Sequence, residues 1–208
     1  VEKPMATTNI AFTYVGLKAL ELPTASLRGF PEDFMMGMAK RKDILGDDGP
    51  SAPENWDPIW KERVHIWMSI NAQNTEALIE RYNWVVQQVE ASGGGVTLLT
   101  GHRGDAGEDD LPYQEASVLY DEAGNPTPKE HFGYTDGIGD PVFEGQTNIA
   151  ARVLGRGKLM RDGSWAPLAA GEFLLGHVDE AMEYPKTSPS PMLLARNGTY
   201  MVYRKLHE

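Results

Sequence analysis

The chain has 208 residues, 41% of them hydrophobic and 24% charged, which is enough to bury a core in one sizeable domain. A formal charge of −11 argues against nucleic acid or an anionic membrane as a partner, because both reward clusters of Lys and Arg. The absence of cysteine excludes disulfides, thiolate nucleophiles and cysteine-held metal centres.

"TNIAFTYVG" alternates and is rich in β-formers, so a strand is predicted over residues 8–15. "FPEDFMMGMAKRKDILG" places Pro31 at a first helical position, acids in the first turn and Gly46 at the stop, which predicts a helix between them. "DDGPSAPENWDP" is loop chemistry. A strand over 64–71 sets Val64, Ile66, Met68 and Ile70 against His65, Trp67 and Ser69, which predicts cover on both faces.

"NTEALIERYNWVVQQVEASGGG" is the clearest helix. Asn74 caps it, Leu78, Tyr82, Val85 or Val86 and Val89 form its apolar stripe, and three glycines stop it. "VTLLTG" over 96–101 predicts another strand. Strands alternating with helices indicate an α+β fold, a ferredoxin-like sandwich with an antiparallel sheet and helices on one face. Residues 102–198 are rich in Gly and Pro and are expected to be long ordered loops, a length at which loops commonly carry function. "TYMVYRKL" over 199–206 predicts a last strand.

No stretch of 18 apolar residues is present, so no helical membrane span is expected, and the chain reads as soluble, cytoplasmic or secreted. The five histidines, His65, His102, His131, His177 and His207, show no pair at metal-ligand spacing, so no metal ligand is assigned within this chain. "NGT" at Asn197 fits the acceptor triplet for N-linked glycans.

"HFGYTDGIGDP" over 131–141 is neither a dinucleotide fingerprint nor a phosphate loop, and it lacks the alternating ligands of a calcium loop. No Gly-x-Ser-x-Gly elbow occurs anywhere. What remains is the Asp136 carboxylate between Gly133 and Gly137, glycines that allow a planar ligand to approach the backbone. Phe132, Tyr134, Ile138, Pro141, Val142 and Phe143 are expected to wall it. Such a setting disfavours the charged carboxylate and makes it a proton shuttle. Taken alone, an Asp-Gly pair is more readily a surface turn.

Three further blocks shift that balance: "PEDFMMGMAKRKDILGDDGPSAPENW" (31–56), "GEFLLGHVDE" (171–180) and "RNGTYMVYRKL" (196–206), in order around "EHFGYTDGIGDP". Together they resemble the N-terminal and middle part of the dye-decolourising (DyP-type) haem peroxidases, from about residue 9 onward. "GYTDG" matches the family's Gly-x-x-Asp-Gly motif from Gly133 to Gly137. The resemblance implies part of a dimeric α+β barrel, a b-type haem, and reduction of hydrogen peroxide with oxidation of dyes or phenols.

It also implies that Asp136 is the distal acid–base group, and that Gly133, Tyr134, Thr135, Asp136, Gly137, Ile138, Gly139 and Pro141 line the cofactor. The expected organisation is one incomplete domain over 1–208, with a ferredoxin-like half over 1–101 and the haem loops and last strand over 102–208. The family's iron-ligating histidine and distal arginine follow the block that "NGTYMVYRKL" resembles, and none of the five histidines matches them. A complementary chain supplying both is therefore implied, and a homo-oligomer is compatible. The alternative is a non-catalytic haem-binding or structural interaction domain that kept the fold. Trp56, Trp60, Trp67, Trp84 and Trp165 are candidate electron relays in the family, although core or interface roles suit most of them.

Overall fold

The computed structural model describes residues 2–147, 149 and 152–205. The chain separates into two compact units, Val1–Leu27 with Pro31–Gln114, and Arg28–Phe30 with Glu115–Glu208. The first unit thus runs past residue 101 to Gln114.

In the first unit, β1 (Ala6–Phe12) pairs antiparallel with β2 (Ile66–Ala72), Ala6 opposite Ala72 and Phe12 opposite Ile66. β1 ends earlier than its alternation suggests because Thr13 starts a helix. The Thr13 hydroxyl accepts from the Gly16 amide at 3.0 Å, capping α1 (Tyr14–Ala19), and donates to the Val64 carbonyl at 2.7 Å. A serine- or threonine-type cap outweighs strand propensity here because it satisfies an amide that the helix leaves open. A short α2 (Thr24–Leu27) follows, with Ser26 and Leu27 buried.

The helix predicted between Pro31 and Gly46 is broken. Pro31 is the extended residue before α3 (Glu32–Met36), and Gly37 leaves the helical region at φ 74° and ψ 168°. A 3₁₀ turn over Ala39–Arg41 then leads into α4 (Lys42–Leu45), which Gly46 closes in the left-handed conformation. The terminal signals at Pro31 and Gly46 hold, but Gly37, free to leave the helical region, interrupts the helix between them. The loop after Gly46 folds as successive 3₁₀ turns, each with a proline in its first two positions, at Pro50, Pro53 or Pro58.

β2 is not covered on both faces: Ile66 and Met68 are exposed. With one partner strand and one long helix, the sheet lacks the material to cover both sides. That helix, α5 (Thr75–Ala91), forms where predicted, and the Asn74 side chain accepts from the Ala77 amide at 2.9 Å. Its buried line runs through Ala77 and Val85, with Leu78, Tyr82, Val86 and Val89 half-buried beside it. Leu78→Ala is therefore expected to cost about 2 kcal/mol, the low end for truncating a leucine. A shift in urea midpoint equivalent to less than about 0.5 kcal/mol would place Leu78 in solvent and contradict the helix phase.

The strand predicted over 96–101 does not form. Val96 and Leu98 are exposed and residues 97–101 join no ladder, the backbone pairing instead through the bridge of His102 with Leu111.

The second unit carries a two-stranded hairpin, β3 (Lys158–Leu159) with β4 (Trp165–Ala166), turned by Asp162 and Gly163. The Asp162 carboxylate accepts from the Ser164 hydroxyl and amide, which lowers its pKa below the ordinary carboxylate value. This hairpin went unpredicted because each strand is two residues long. A short α6 (Met192–Ala195) precedes residues 199–205, which carry no strand pairing where one was expected. The unit's core holds Val142, Val153, Ala169, Ala170 and the fully buried Pro189. Among the described residues the strands form two separate antiparallel pairs, an α+β architecture without a closed barrel. No helix there is long and apolar enough to cross a membrane.

Candidate functional site

The loop around Asp136 lies in the second unit and is closed by its own backbone. Lys129 bridges Thr135 antiparallel, the Glu130 amide donates to the Tyr134 carbonyl at 2.8 Å, and the Gly133 amide donates to Glu130 at 2.9 Å. The Asp136 amide donates to the Pro128 carbonyl at 2.8 Å. Lys129 Nζ, which the sequence did not single out, donates to Thr135 Oγ1 at 2.7 Å and so ties the two arms of the loop together. A lone lysine in a proline-rich loop gives no periodic signal, and its role emerges only from the pairing.

Gly133 and Gly137 have φ of 85° and 74°, values at which a side chain is strained. A Cβ on Gly133 or Gly139 would meet nothing within 4 Å. Gly133 and Gly137 are thus required by the turn; Gly133 and Gly139 leave open space beside the backbone, whereas a Cβ on Gly137 would touch Asp140 Oδ2 at 3.5 Å.

The Asp136 carboxylate is exposed rather than enclosed, and its Oδ1 accepts from the Gly137 amide at 2.7 Å. The expected walls divide into two groups. Val142 is buried and Phe143 stacks on Phe173 at 4.8 Å between ring centres, so both belong to the packing of the unit. Tyr134 and Ile138 are each 72% exposed, and Phe132 and Pro141 also face outward. The outcome is an anchored stem, held where Val142 exchanges hydrogen bonds with Arg156 and Leu168, and an uncovered tip carrying Tyr134, Asp136 and Ile138. Asp140 is exposed on the same loop.

Below the stem, the Glu180 carboxylate receives Lys158 Nζ at 2.9 Å and the Ala169 amide. The Lys158 ammonium and that amide hold its carboxyl below the ordinary glutamate value. Lys158, Ala169 and Glu180 thereby join three segments of the unit that supports the loop.

His65, His102 and His177 make local contacts. The His65 carbonyl accepts from Thr13, and His102 stands 3.9 Å from buried Asp57 with its ring edge-on to Trp60. His131 is exposed, His177 Nε2 donates to Asn197 Oδ1 at 2.7 Å, and His207 lies outside the described residues. Among the described residues, no group of three or more His, Asp or Glu side chains is placed to hold a metal ion. Of the tryptophans, Trp84 is half exposed with Arg81 over its ring, and Trp165 is partly exposed.

The first unit is an α+β domain built on one antiparallel strand pair and a long helix, and residues 2–104 match the family of the DyP dimeric alpha+beta barrel domain. A dye-decolorizing peroxidase of Mycena epipterygia is 26% identical over 206 residues, covering 99% of this chain and 32% of that protein. The family match over residues 2–104 and this relative support a DyP-type protein, and the chain spans about a third of the length of that relative.

Proposed function

We propose that this chain supplies the distal side of a b-type haem peroxidase that reduces hydrogen peroxide and oxidises dyes or phenolic compounds. The observation that carries the reading is the loop tip, where a carboxylate stands between the uncovered side chains of Tyr134 and Ile138, close in sequence to Gly133 and Gly139, which have free space around them. These features fit the edge of a flat, largely apolar group: Gly133 and Gly139 leave room for it, Gly137 turns the chain beside it, and Tyr134, Ile138 and Pro141 supply apolar contact. Thr135 acts through Lys129, keeping the loop closed.

When bound, haem supplies the iron at which the peroxide oxygen–oxygen bond is cleaved. Asp136 accepts the peroxide proton on its carboxylate and returns it to the departing oxygen, which leaves as water. The Gly137 amide fixes Oδ1, so the carboxylate meets the proton in one orientation. Cover over the tip is expected from the portion that supplies the axial histidine and an arginine, a complementary chain or the remainder of a longer protein. The similarity to a dimeric barrel domain supports assembly as a homo-oligomer.

Gly139→Val tests the reading without touching the carboxylate. Open space at this position predicts a stability change within about 0.5 kcal/mol. Haem uptake by the full-length protein should nevertheless weaken about tenfold, or about 1.4 kcal/mol, because the side chain occupies the space of the flat group. Unchanged affinity in a haem titration would contradict cofactor contact at this loop.

A further inference from the structure

The Asn-Gly-Thr triplet at residues 197–199 has no part in the chemistry of the Asp136 loop, yet its asparagine and threonine are both exposed at a turn. We infer that Asn197 is an N-glycosylation site, taking an oligosaccharide from a lipid-diphosphate carrier. The inference is independent of the peroxidase reading.

Two Asn-x-Ser/Thr arrangements occur in the sequence, Asn125-Pro126-Thr127 and Asn197-Gly198-Thr199. Proline in the middle disqualifies the first, because its fixed φ and missing amide prevent the bend that brings the hydroxyl towards the acceptor. Asn125 is also committed locally, its Nδ2 donating to Asp121 Oδ2 at 3.3 Å. The second triplet has the flexible residue in the middle and an exposed threonine at its end.

Asn197 is exposed at φ 66°, a left-handed position that asparagine tolerates better than most residues. The turn is pinned on both sides: the Asn197 amide donates to Leu175 at 3.0 Å and the Leu175 amide donates to Gly198 at 2.8 Å. The side-chain oxygen accepts from His177 Nε2 at 2.7 Å. Among the described residues nothing engages Nδ2, so the nitrogen that would carry the sugar is the atom the fold leaves available. The contact that orients the side chain uses the oxygen and survives modification.

In the transfer, Asn197 Nδ2 bonds to the sugar's anomeric carbon as that carbon's bond to the diphosphate oxygen breaks. The amide proton passes to a base of the transferase, and the diphosphate leaves on its lipid carrier. The product adds a bulky, solvated group to a turn that already faces water.

The test routes the full-length protein through the secretory pathway of a eukaryotic host behind an added leader, alongside a standard glycoprotein. Peptide mapping follows, after release of glycans by an amidase that leaves aspartate at each occupied asparagine. Conversion is expected at Asn197 and not at Asn125. It should be abolished in Thr199→Ala and retained in Thr199→Ser. An unconverted Asn197 while the standard is glycosylated, or conversion that persists in Thr199→Ala, would overturn the inference.

Discussion

Asp136→Asn in the full-length protein should slow reaction with hydrogen peroxide by about 10²–10⁴, the usual worth of a positioned acid–base group. Asparagine keeps the size and still accepts from the Gly137 amide, so the loop closure through Lys129, Thr135 and Pro128 has no reason to change. Haem should still bind, since Asp136 is given no role in iron ligation. Asp140→Asn is the control on the same loop. Its carboxylate is also exposed, but it lies outside the Gly133–Gly137 motif, and its effect should stay within a few-fold. Stopped-flow mixing of each holo variant with peroxide separates the cases. A parent-like rate in Asp136→Asn would make this residue structural and assign the proton transfer to a group outside the chain.

The largest expected loss of stability comes from one methyl group. Gly16 is buried in α1 where the helix crosses the chain entering β2, and a Cβ placed there would overlap the carbonyl of His65. The His65 carbonyl carbon would be 2.8 Å away and its Cα 3.0 Å. These are backbone atoms, held by the Thr13 amide on the His65 carbonyl at 3.0 Å and by the Thr13 hydroxyl on Val64. No side chain can rotate to relieve the overlap. Gly16→Ala should thus cost about 3 kcal/mol or more, despite the better helix propensity of alanine. Urea denaturation measures it, and a midpoint equal to the parent's would mean that α1 does not pack against this segment.

Local signals that agreed with one another were legible in the sequence. Asn74, the apolar spacing from Leu78 to Val89 and the glycines after Ala91 all specify the same helix, and α5 forms there. "VTLLTG" and "TYMVYRKL" carry strong β propensity, but a strand is a pairing, and residues 97–101 and 199–205 find no ladder partner among the described residues. The hairpin of β3 and β4 shows the converse, with weak local signal but a turn closed by Asp162, Gly163 and Ser164.

At the candidate site, the identity of Asp136 was legible because a short motif carries it. Its setting was not. Aromatic and aliphatic neighbours suggested an enclosed carboxylate, whereas the loop satisfies its own hydrogen bonds and leaves Tyr134 and Ile138 uncovered. Composition near a residue reports what a surface can contact; it does not report what covers it.

The central claim is that these residues form the distal side of a haem site whose axial ligand lies outside the chain. The most direct measurement is the absorption spectrum after haem addition to the isolated 208-residue chain and to the assembled enzyme, whether completed by a complementary chain or by the remainder of a longer protein. The account predicts an imidazole-ligated ferric Soret band in the assembled enzyme and none in the isolated chain. The same imidazole-ligated spectrum from the isolated chain would contradict it, and would turn attention to His131 or His177 as the ligand.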